Sequence, residues 1–233
     1  MVLDGFPSVG LVNAITFQCL VRSVGTELVA ILDSSEFPST SLINQYIPQF
    51  PARIYVNEKL KLSFFLSELN IHQTLHKSIA ELIIDWATKN QCKMVISAAG
   101  IPNDNAGGDK EKLVIRGNPG EEPSEIYALT STKGASKLAK QQGFLPLRSG
   151  MISGIPATLL NEGSLIVLDV IVLLVKTQVD GPDFCGAAAI SNAITKLIQS
   201  IYCDIGIFLT EGEAIETKLK QIRECPSRPS YID

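Results

Sequence analysis

The sequence predicts an α/β protein in which helices cover both faces of a largely parallel or mixed sheet. Strand-like and helix-like segments alternate along the chain, which is the pattern of that class. Several of the strand-like segments are continuously apolar, as strands buried on both faces are. Of the 233 residues, 45% are hydrophobic and 19% are charged, so the chain can fill a substantial core. We expect one α/β domain over residues 1–226 and a flexible tail at residues 227–233.

The amino-terminal half begins with a strand and a helix. Val2 and Leu3 start a short strand, and apolar residues at helical spacing then continue to about Val24. Pro7 suits the first turn of that helix, because its missing N–H would be unpaired there in any case. Residues 34–51 are rich in serine, proline and asparagine and predict a loop. Short apolar runs predict further strands at residues 28–32, 54–56, 60–66 and 94–99.

The second helix is predicted from its cap. Asn70 is a favourable N-cap and Gln73 stands three residues on, as in a capping box. Apolar residues then follow at helical spacing as far as Trp86 and form one face of the helix. A polar loop follows at residues 101–123, and its length is typical of functional or mobile segments.

The carboxy-terminal half continues the alternation. Gly143 suits the C-cap of a helix that begins at Lys133. Residues 180–183 are typical of a segment that ends one strand and begins the next helix. The apolar run from Leu165 to Val175 is much shorter than the ~20 residues of a membrane helix, so it predicts a buried strand. Strands are expected at residues 125–129 and 165–176, and helices at residues 133–142, 184–202 and from Thr210.

The charge balance and the cysteines narrow the classes of function. A net charge of −4 and a pI of about 5.3 offer no basic surface for nucleic acid, so no nucleic-acid partner is predicted. No signal peptide and no membrane-spanning run are visible, so a cytoplasmic protein without a membrane partner is expected.

The five cysteines are odd in number and form no CxxC pair. They predict neither a disulfide framework nor a zinc site, and reduced thiols are the expected state.

The glycine-containing turn at residues 5–10 is the first candidate site. Its glycines have the spacing of a phosphate-binding loop and lead into a helix N-terminus. Leu11 and Val12 stand where such a loop needs lysine and serine or threonine, so this is not a Walker motif. A tight structural turn and an anion or small-ligand site both remain open. Because ligands of open α/β sheets favour the carboxyl ends of strands, the candidate ligand loops comprise Gly5, Phe6, Pro7, Ser8, Gly10, Gly100, Asn103, Thr130 and Thr132.

Other candidates for chemistry are weaker. His72 and His76 lie four residues apart on a helix and could share a metal, but no third ligand is nearby in the sequence, so no metal is predicted. No GxSxG elbow is present, and Cys185 at a helix start is expected to be a core residue. Asp169 interrupts an apolar strand, either as a buried carboxylate with partners or as an edge residue that faces solvent. No catalytic residue and no cofactor are predicted.

Three stretches resemble the proteasome assembly chaperone 2 family. They are VLDGFPSVGLVNAI at residues 2–15, SGMISGIPATLLNEG at residues 149–163 and KTQVDGPDFCGAAAISNAI at residues 176–194. The first is similar to that family's opening strand, turn and helix. The second is similar to a glycine-containing strand with its following turn, and the third to a later strand, Pro-Asp turn and alanine-rich helix. The resemblance implies a three-layer α/β/α fold of the phosphorylase- or hydrolase-like kind, self-association, and the α-ring of the 20S proteasome as a partner.

The resemblance also points to the tail. Family members that dock on the α-ring often end in a hydrophobic residue, a tyrosine and one further residue. This chain ends in Tyr231, Ile232 and Asp233, so its tyrosine is third from the end where the pattern has it second, and the preceding Ser230 is not hydrophobic. The expected function is a non-catalytic assembly or interaction protein that forms a homo-oligomer and docks on the 20S α-ring. The alternative is a small-molecule-binding protein or enzyme with a nucleoside-phosphorylase-like pocket, which several convergent polar groups in one cleft would indicate.

Overall fold

The computed structural model describes residues 1–44, 46–102, 125–177 and 181–203. The strands are β1 (Val2–Gly5), β2 (Glu27–Ile31), β3 (Leu42–Asn44), β4 (Ile47–Gln49), β5 (Ala52–Asn57), β6 (Leu62–Ser67), β7 (Met94–Pro102), β8 (Tyr127–Thr130), β9 (Leu145–Pro146) and β10 (Asp169–Thr177). The helices are α1 (Val12–Ser23), α2 (His76–Lys89), α3 (Lys133–Gln141), α4 (Ile155–Ile166) and α5 (Phe184–Leu197). Residues 103–123 of the predicted loop, the predicted helix from Thr210 and the tail at residues 227–233 lie outside the described residues.

Eight of these strands form one mixed sheet, in the order β2-β5-β6-β1-β7-β10-β8-β9. Its centre is parallel, because β1 runs parallel to β6 and β7, and β7 runs parallel to β10. Antiparallel strands extend it on both sides: β5 pairs with β6 and β2, and β8 pairs with β10. β3 and β4 form a separate antiparallel ribbon within residues 34–51, which the sequence predicted to be only a loop.

Side chains of the central strands pack alternately on the two faces of this sheet. In β1 the neighbours Val2 and Leu3 belong to different core clusters, and so do Val95 and Ile96 in β7. The helices α1, α3 and α5 complete one cluster, and α2 and α4 complete the other. The central strands are continuously apolar because both faces are buried. The three-layer α/β/α sandwich with a largely parallel or mixed sheet is therefore confirmed.

The central strand β10 begins at Asp169, four residues later than predicted. Leu165 instead belongs to α4 and is 76% exposed. The apolar run that predicted one strand therefore joins a solvent-facing helix end to a buried strand. The stretch at residues 149–163, which was expected to contain a strand and a turn, enters α4 at Ile155 with Pro156 in the first helical turn. None of the helices in the described ranges is long and apolar enough to cross a membrane.

The beginnings of α1 and α2 also differ from the prediction. Asn70 and Gln73 do not form a capping box, because a 3-10 turn over residues 73–75 precedes α2. His72 caps that turn, and its ring nitrogen accepts a hydrogen bond from a backbone N–H. Pro7 lies ahead of a second 3-10 turn that leads into α1, so it is outside the helix and not in its first turn.

The turn between β1 and α1 crosses closely over the ends of β7 and β10. Gly10 has a left-handed φ of 68°, and a Cβ at this position would overlap the hydroxyl of Thr177. Gly100 lies directly beneath the turn, where a Cβ would overlap the carbonyl oxygen of Val9. The Gly10 carbonyl accepts a 2.8 Å hydrogen bond from the N–H of Asp183, which caps α5 at the predicted helix start. These contacts fix the position of the turn over the sheet.

A disulfide joins Cys19 in α1 to Cys203, with their Cα atoms 6.1 Å apart. The expectation that all the cysteines are reduced is therefore wrong. The two residues are 184 positions apart in the sequence, and the packing of α1 against α5 brings them together. α5 ends at Leu197, five residues earlier than predicted, and the chain then continues to Cys203. Cys92 and Cys185 are not bonded to another cysteine.

Replacing Gly100 by alanine is expected to destabilise the fold. The added methyl group would overlap the Val9 backbone, which cannot move without shifting the whole turn, so we expect a loss of about 1–3 kcal/mol in the free energy of unfolding. Urea denaturation followed by circular dichroism measures this. The matched control is Gly134→Ala in α3, where the nearest atom to the new Cβ is 3.4 Å away and alanine favours the helix. Equal stability of the Gly100 variant and the wild type would contradict the tight crossing.

Removing the disulfide is expected to lower stability by about 2–5 kcal/mol, because the unfolded chain then loses a long covalent loop. Cys19→Ser should unfold at lower urea concentration than the wild type, and a reducing agent should lower the wild-type midpoint to a similar value. Cys92→Ser, which removes a thiol that is not bonded to another cysteine, serves as the control and should retain the response to reductant. A wild-type midpoint that does not change on reduction would rule out the Cys19–Cys203 bond.

Candidate functional site

A cavity of about 620 Å³ opens where the central parallel strands β1 and β7 end. This is the edge at which open α/β sheets commonly bind ligands. The turn after β1, the approach to α2, the end of β7 and the approach to α4 supply its wall. The lining residues come from residues 4–9, 70–76, 99–102 and 151–156, together with Leu174 of β10. Most of these side chains are apolar, so the chemistry of the cavity depends on few polar groups.

Asp4 lies at the base of this cavity and is fully buried. Its Oδ2 accepts a 2.7 Å hydrogen bond from the hydroxyl of Ser97, and its Oδ1 accepts one of 3.1 Å from the N–H of Phe6. The strand register places Leu3 beside Ile96, so Asp4 and Ser97 are opposite each other on β1 and β7. Burial raises the pKa of Asp4 to about 6, although the two hydrogen bonds act in the opposite direction. Oδ2 therefore joins β1 to β7, and Oδ1 holds the turn that follows β1.

Asn13 connects the turn to the same strand. Its side-chain nitrogen donates a 2.8 Å hydrogen bond to the carbonyl of Phe6, and its side-chain oxygen accepts one of 2.9 Å from the N–H of Ala98. The residue lies in the first turn of α1 and is buried. Because β1 ends at Gly5, the Asn13 carboxamide supplies the partner that a longer strand would have given to β7. The mouth of the cavity is thus held by side-chain hydrogen bonds.

His76 is a second titratable side chain of the wall. Its Nε2 lies 3.1 Å from the carbonyl oxygen of Ile71. A carbonyl oxygen can only accept, so Nε2 donates the hydrogen of this bond. Nδ1 faces Gly154 at the start of α4. His72 points elsewhere, with its Nδ1 3.0 Å from the hydroxyl of Thr74, so the two histidines do not share a site.

The described wall has no cationic side chain for phosphate and no cluster of metal ligands. No lysine or arginine occurs among its residues. In the parts of the chain that the structure describes, no group of three histidine, cysteine, aspartate or glutamate side chains is placed to hold a metal ion. Ser97 is fully buried and already hydrogen-bonded to Asp4, so it is not positioned as a surface nucleophile. The arrangement suits packing against an apolar group better than phosphate or acyl transfer.

The structure brings together the predicted ligand residues that follow β1 and β7. Phe6, Pro7, Ser8 and Gly100 all line the cavity. Gly5 and Gly10 lie just behind the wall. A Cβ on Gly5 would press on the Phe17 side chain, 2.9 Å away, and Gly10 approaches the end of β10. Asn103 lies outside the described residues.

Thr130 and Thr132 are not part of this group. β8 runs antiparallel to β10, and Thr130 pairs with Ile171 near the beginning of β10, whereas Gly100 pairs with Val175 near its end. Four residues of strand separate these positions, or about 13 Å. Thr132 caps α3 by accepting a 3.0 Å hydrogen bond from the N–H of Ala135. Its hydroxyl donates to Asp169, which is half-buried at the beginning of β10.

Sequence reasoning missed several of the residues that shape the cavity. Asp4 and Asn13 carry its buried polar network, and the segment at residues 151–156 forms one wall. A carboxylate inside the short apolar run at the start of the chain was an available signal for Asp4, because such a group needs buried partners. For residues 151–156 there was no such signal, since their position depends on the tertiary packing of α4 against α2.

Comparison with solved structures finds close similarity over nearly the whole chain. Pyrococcus furiosus PbaA, an archaeal homolog of proteasome-assembly chaperone, is 27% identical with a TM-score of 0.80, and the match covers 96% of this chain and 87% of that chain. Pyrococcus furiosus PbaB, an archaeal proteasome activator, is 18% identical with a TM-score of 0.75, covering 96% and 93%. A protein of unknown function from Thermoplasma acidophilum is 22% identical with a TM-score of 0.74, covering 96% and 85%. The last two similarities support the fold alone.

The sequence comparisons agree with this result. No curated protein matches the chain significantly. The model of the PAC2 family matches residues 2–223, which include all three stretches from which the resemblance was predicted. The match begins at β1 and contains the turn, the cavity wall and the residues around α5. The chain therefore belongs to the PAC2 family.

Proposed function

We propose that this protein is a non-catalytic assembly protein of the proteasome-assembly-chaperone type, which works in the cytoplasm through contacts with other proteins. The observation that carries the proposal is the similarity to PbaA, which extends over 96% of this chain at 27% identity. PbaA is a homolog of proteasome-assembly chaperone, and likeness over the whole fold is better support than a shared motif. Fold alone does not determine function, so the chemistry of the site has to support a non-catalytic role independently.

The cavity supports a role without catalysis. Its buried carboxylate, Asp4, has both oxygens occupied by hydrogen bonds within the fold. An enzyme with a nucleoside-phosphorylase-like pocket needs cationic donors for phosphate and several convergent polar groups for its second substrate. The described wall is mainly apolar and carries no lysine or arginine. These features favour the interaction protein over the enzymatic alternative.

The partner in this proposal is the α-ring of the 20S proteasome, and the protein reaches it as a homo-oligomer. The proposed contact residues are Tyr231, Ile232 and Asp233, which lie outside the described residues. A tyrosine beside an isoleucine offers a ring and a branched aliphatic group, a combination that suits a small pocket on a partner. We infer this contact from the resemblance of the sequence to the proteasome assembly chaperone 2 family.

Substituting Tyr231 by alanine is expected to weaken binding to purified 20S particles from the same organism. Loss of one buried aromatic contact commonly costs about 1–3 kcal/mol, which corresponds to roughly 5- to 150-fold in Kd. Surface plasmon resonance measures the change. Tyr202→Ala, which removes an exposed tyrosine from the described part of the chain, is the control and should bind as the wild type does. If the wild type itself does not bind, the proteasome is not the partner; if all three proteins bind equally, the tail is not the contact.

The role of Asp4 can be tested through the pH dependence of stability. Its pKa is raised in the fold from 3.8 to about 6, so the protonated carboxyl is favoured there. The stabilising contribution of protonation is complete below about pH 4 and is lost as the pH rises through 6. Asp4→Asn cannot ionise, so its stability relative to the wild type should rise between pH 4 and pH 7.5, by on the order of 2–3 kcal/mol.

Urea denaturation of both proteins at a single protein concentration gives this difference. Burial also raises the pKa of Glu68, but that group is common to both proteins and cancels in the comparison. Asp85→Asn, which makes the same substitution at an exposed carboxylate on α2, is the control for the loss of one negative charge. A pH-independent difference for Asp4→Asn would mean that Asp4 ionises as freely in the fold as in the unfolded chain.

A further inference from the structure

The two edges of the sheet are protected very differently. One edge is β9, which has two residues and contains Pro146, so it offers little backbone to another strand. The other edge is β2, whose five residues run from Glu27 to Ile31. β2 contains no proline, lysine or arginine, which are the residues that commonly block an edge. The described sheet is therefore open at β2.

Apolar side chains are exposed along this open edge. Leu28 is 54% exposed, Val29 is 51% exposed, and Ile31 is also exposed. The pairing of β2 with β5 shifts by one residue between Leu28 and Ala30, so Val29 is the extra residue of a bulge. The bulge limits continuous backbone pairing at its centre. An apolar partner surface that packs against the side chains would cover this edge better than one added strand would.

The ribbon of β3 and β4 adds to the same surface. The chain leaves the sheet after Ile31 and returns at Ala52, where the Leu32 N–H donates a 2.9 Å hydrogen bond to the Ala52 carbonyl. Arg53 of β5 donates to the side chain of Gln49 and so holds the end of β4 beside the sheet. Tyr46, at the turn of the ribbon, is 98% exposed. We call the exposed apolar residues of this region the edge surface: Leu28, Val29, Ile31, Ile43, Tyr46, Ile47 and Phe50.

We propose that the edge surface is the interface through which two copies of this chain associate. The exposed area is large enough for such an interface. An aromatic side chain can bury about 150–250 Å², and the seven side chains together offer roughly 800 Å² in view of their exposure. This is about what each partner contributes to a standard interface. Apolar patches of this size are uncommon on monomers and generally mark an interaction site.

The charge of this region argues against two other kinds of partner. Residues 27–52 contain no lysine or arginine, which an acidic partner or an anionic lipid surface would need. Glu27 is the single charged residue of β2. A two-fold axis at this surface sets its apolar side chains against their own counterparts in the second copy, as the self-complementary interface of a dimer requires.

The inference rests on the self-association included in the proposed function, and it adds where that association takes place. Analytical ultracentrifugation over a range of protein concentrations tests both. We compare the wild type with Val29→Lys, Tyr46→Asn and the control Leu165→Lys, which adds the same charge at a more exposed apolar position on α4. Tyr46 lies outside the core, and its left-handed φ of 68° suits asparagine, so Tyr46→Asn retains the fold. Circular dichroism confirms folding of each variant.

We expect Val29→Lys and Tyr46→Asn each to raise the dissociation constant of the wild-type assembly at least about tenfold, while Leu165→Lys leaves it unchanged. A wild type that stays monomeric at micromolar concentration would refute the proposed self-association as well as this interface. A wild-type assembly that neither edge variant weakens would refute the interface alone. Equal weakening by Leu165→Lys would also refute it, because added charge and not its location would then be responsible.

Discussion

The architecture depends on how the short central strand β1 ends. β1 has four residues and lies between longer strands, so β7 continues past it without a strand partner on that side. The Asn13 carboxamide takes the missing place, and the buried bond between Asp4 and Ser97 joins the two strands just before it. Leaving such a buried group unpaired costs about 1–3 kcal/mol. The end of β1, the beginning of α1 and the mouth of the cavity are therefore positioned by one small polar network.

Much of the fold could be predicted because its signals are local. Continuous apolar runs identified the central strands, and alternation with helical patterns indicated two covering layers. The prediction failed at positions whose structure depends on packing between distant parts of the chain. Leu165 looks like part of a buried strand because it continues the apolar run of β10. The sequence pattern alone cannot distinguish the exposed apolar end of a helix from a buried strand. The pairing of Cys19 with Cys203 depends on two helices meeting across 184 residues of sequence.

The sequence predicted the candidate site correctly only where the strands have the parallel direction that was expected. Phe6, Ser8 and Gly100 could be placed together because they lie at the carboxyl ends of strands that prove to be parallel. Thr130 was expected at the same edge but ends an antiparallel strand, so it lies towards the other end of the sheet. A short apolar segment carries no information about its direction. The position of Asp4 within an apolar run could have indicated that it has buried partners, but not which ones, since they come from β7 and from the turn after β1.

The distribution of apolar side chains offers a physical reason for a protein of this kind to act through its surface. The helical layers bury both faces of the central strands, and the cavity at their carboxyl ends is mainly apolar. In the part of the chain that the structure describes, seven of the fifteen exposed large hydrophobic side chains lie at one edge, on β2 and the ribbon that follows it. Keeping such groups in water costs roughly 25 cal/mol per Å². That cost disappears when a matching surface covers them, whereas an enzyme that worked alone would gain nothing from the exposure. The edge therefore fits a protein whose function begins with association.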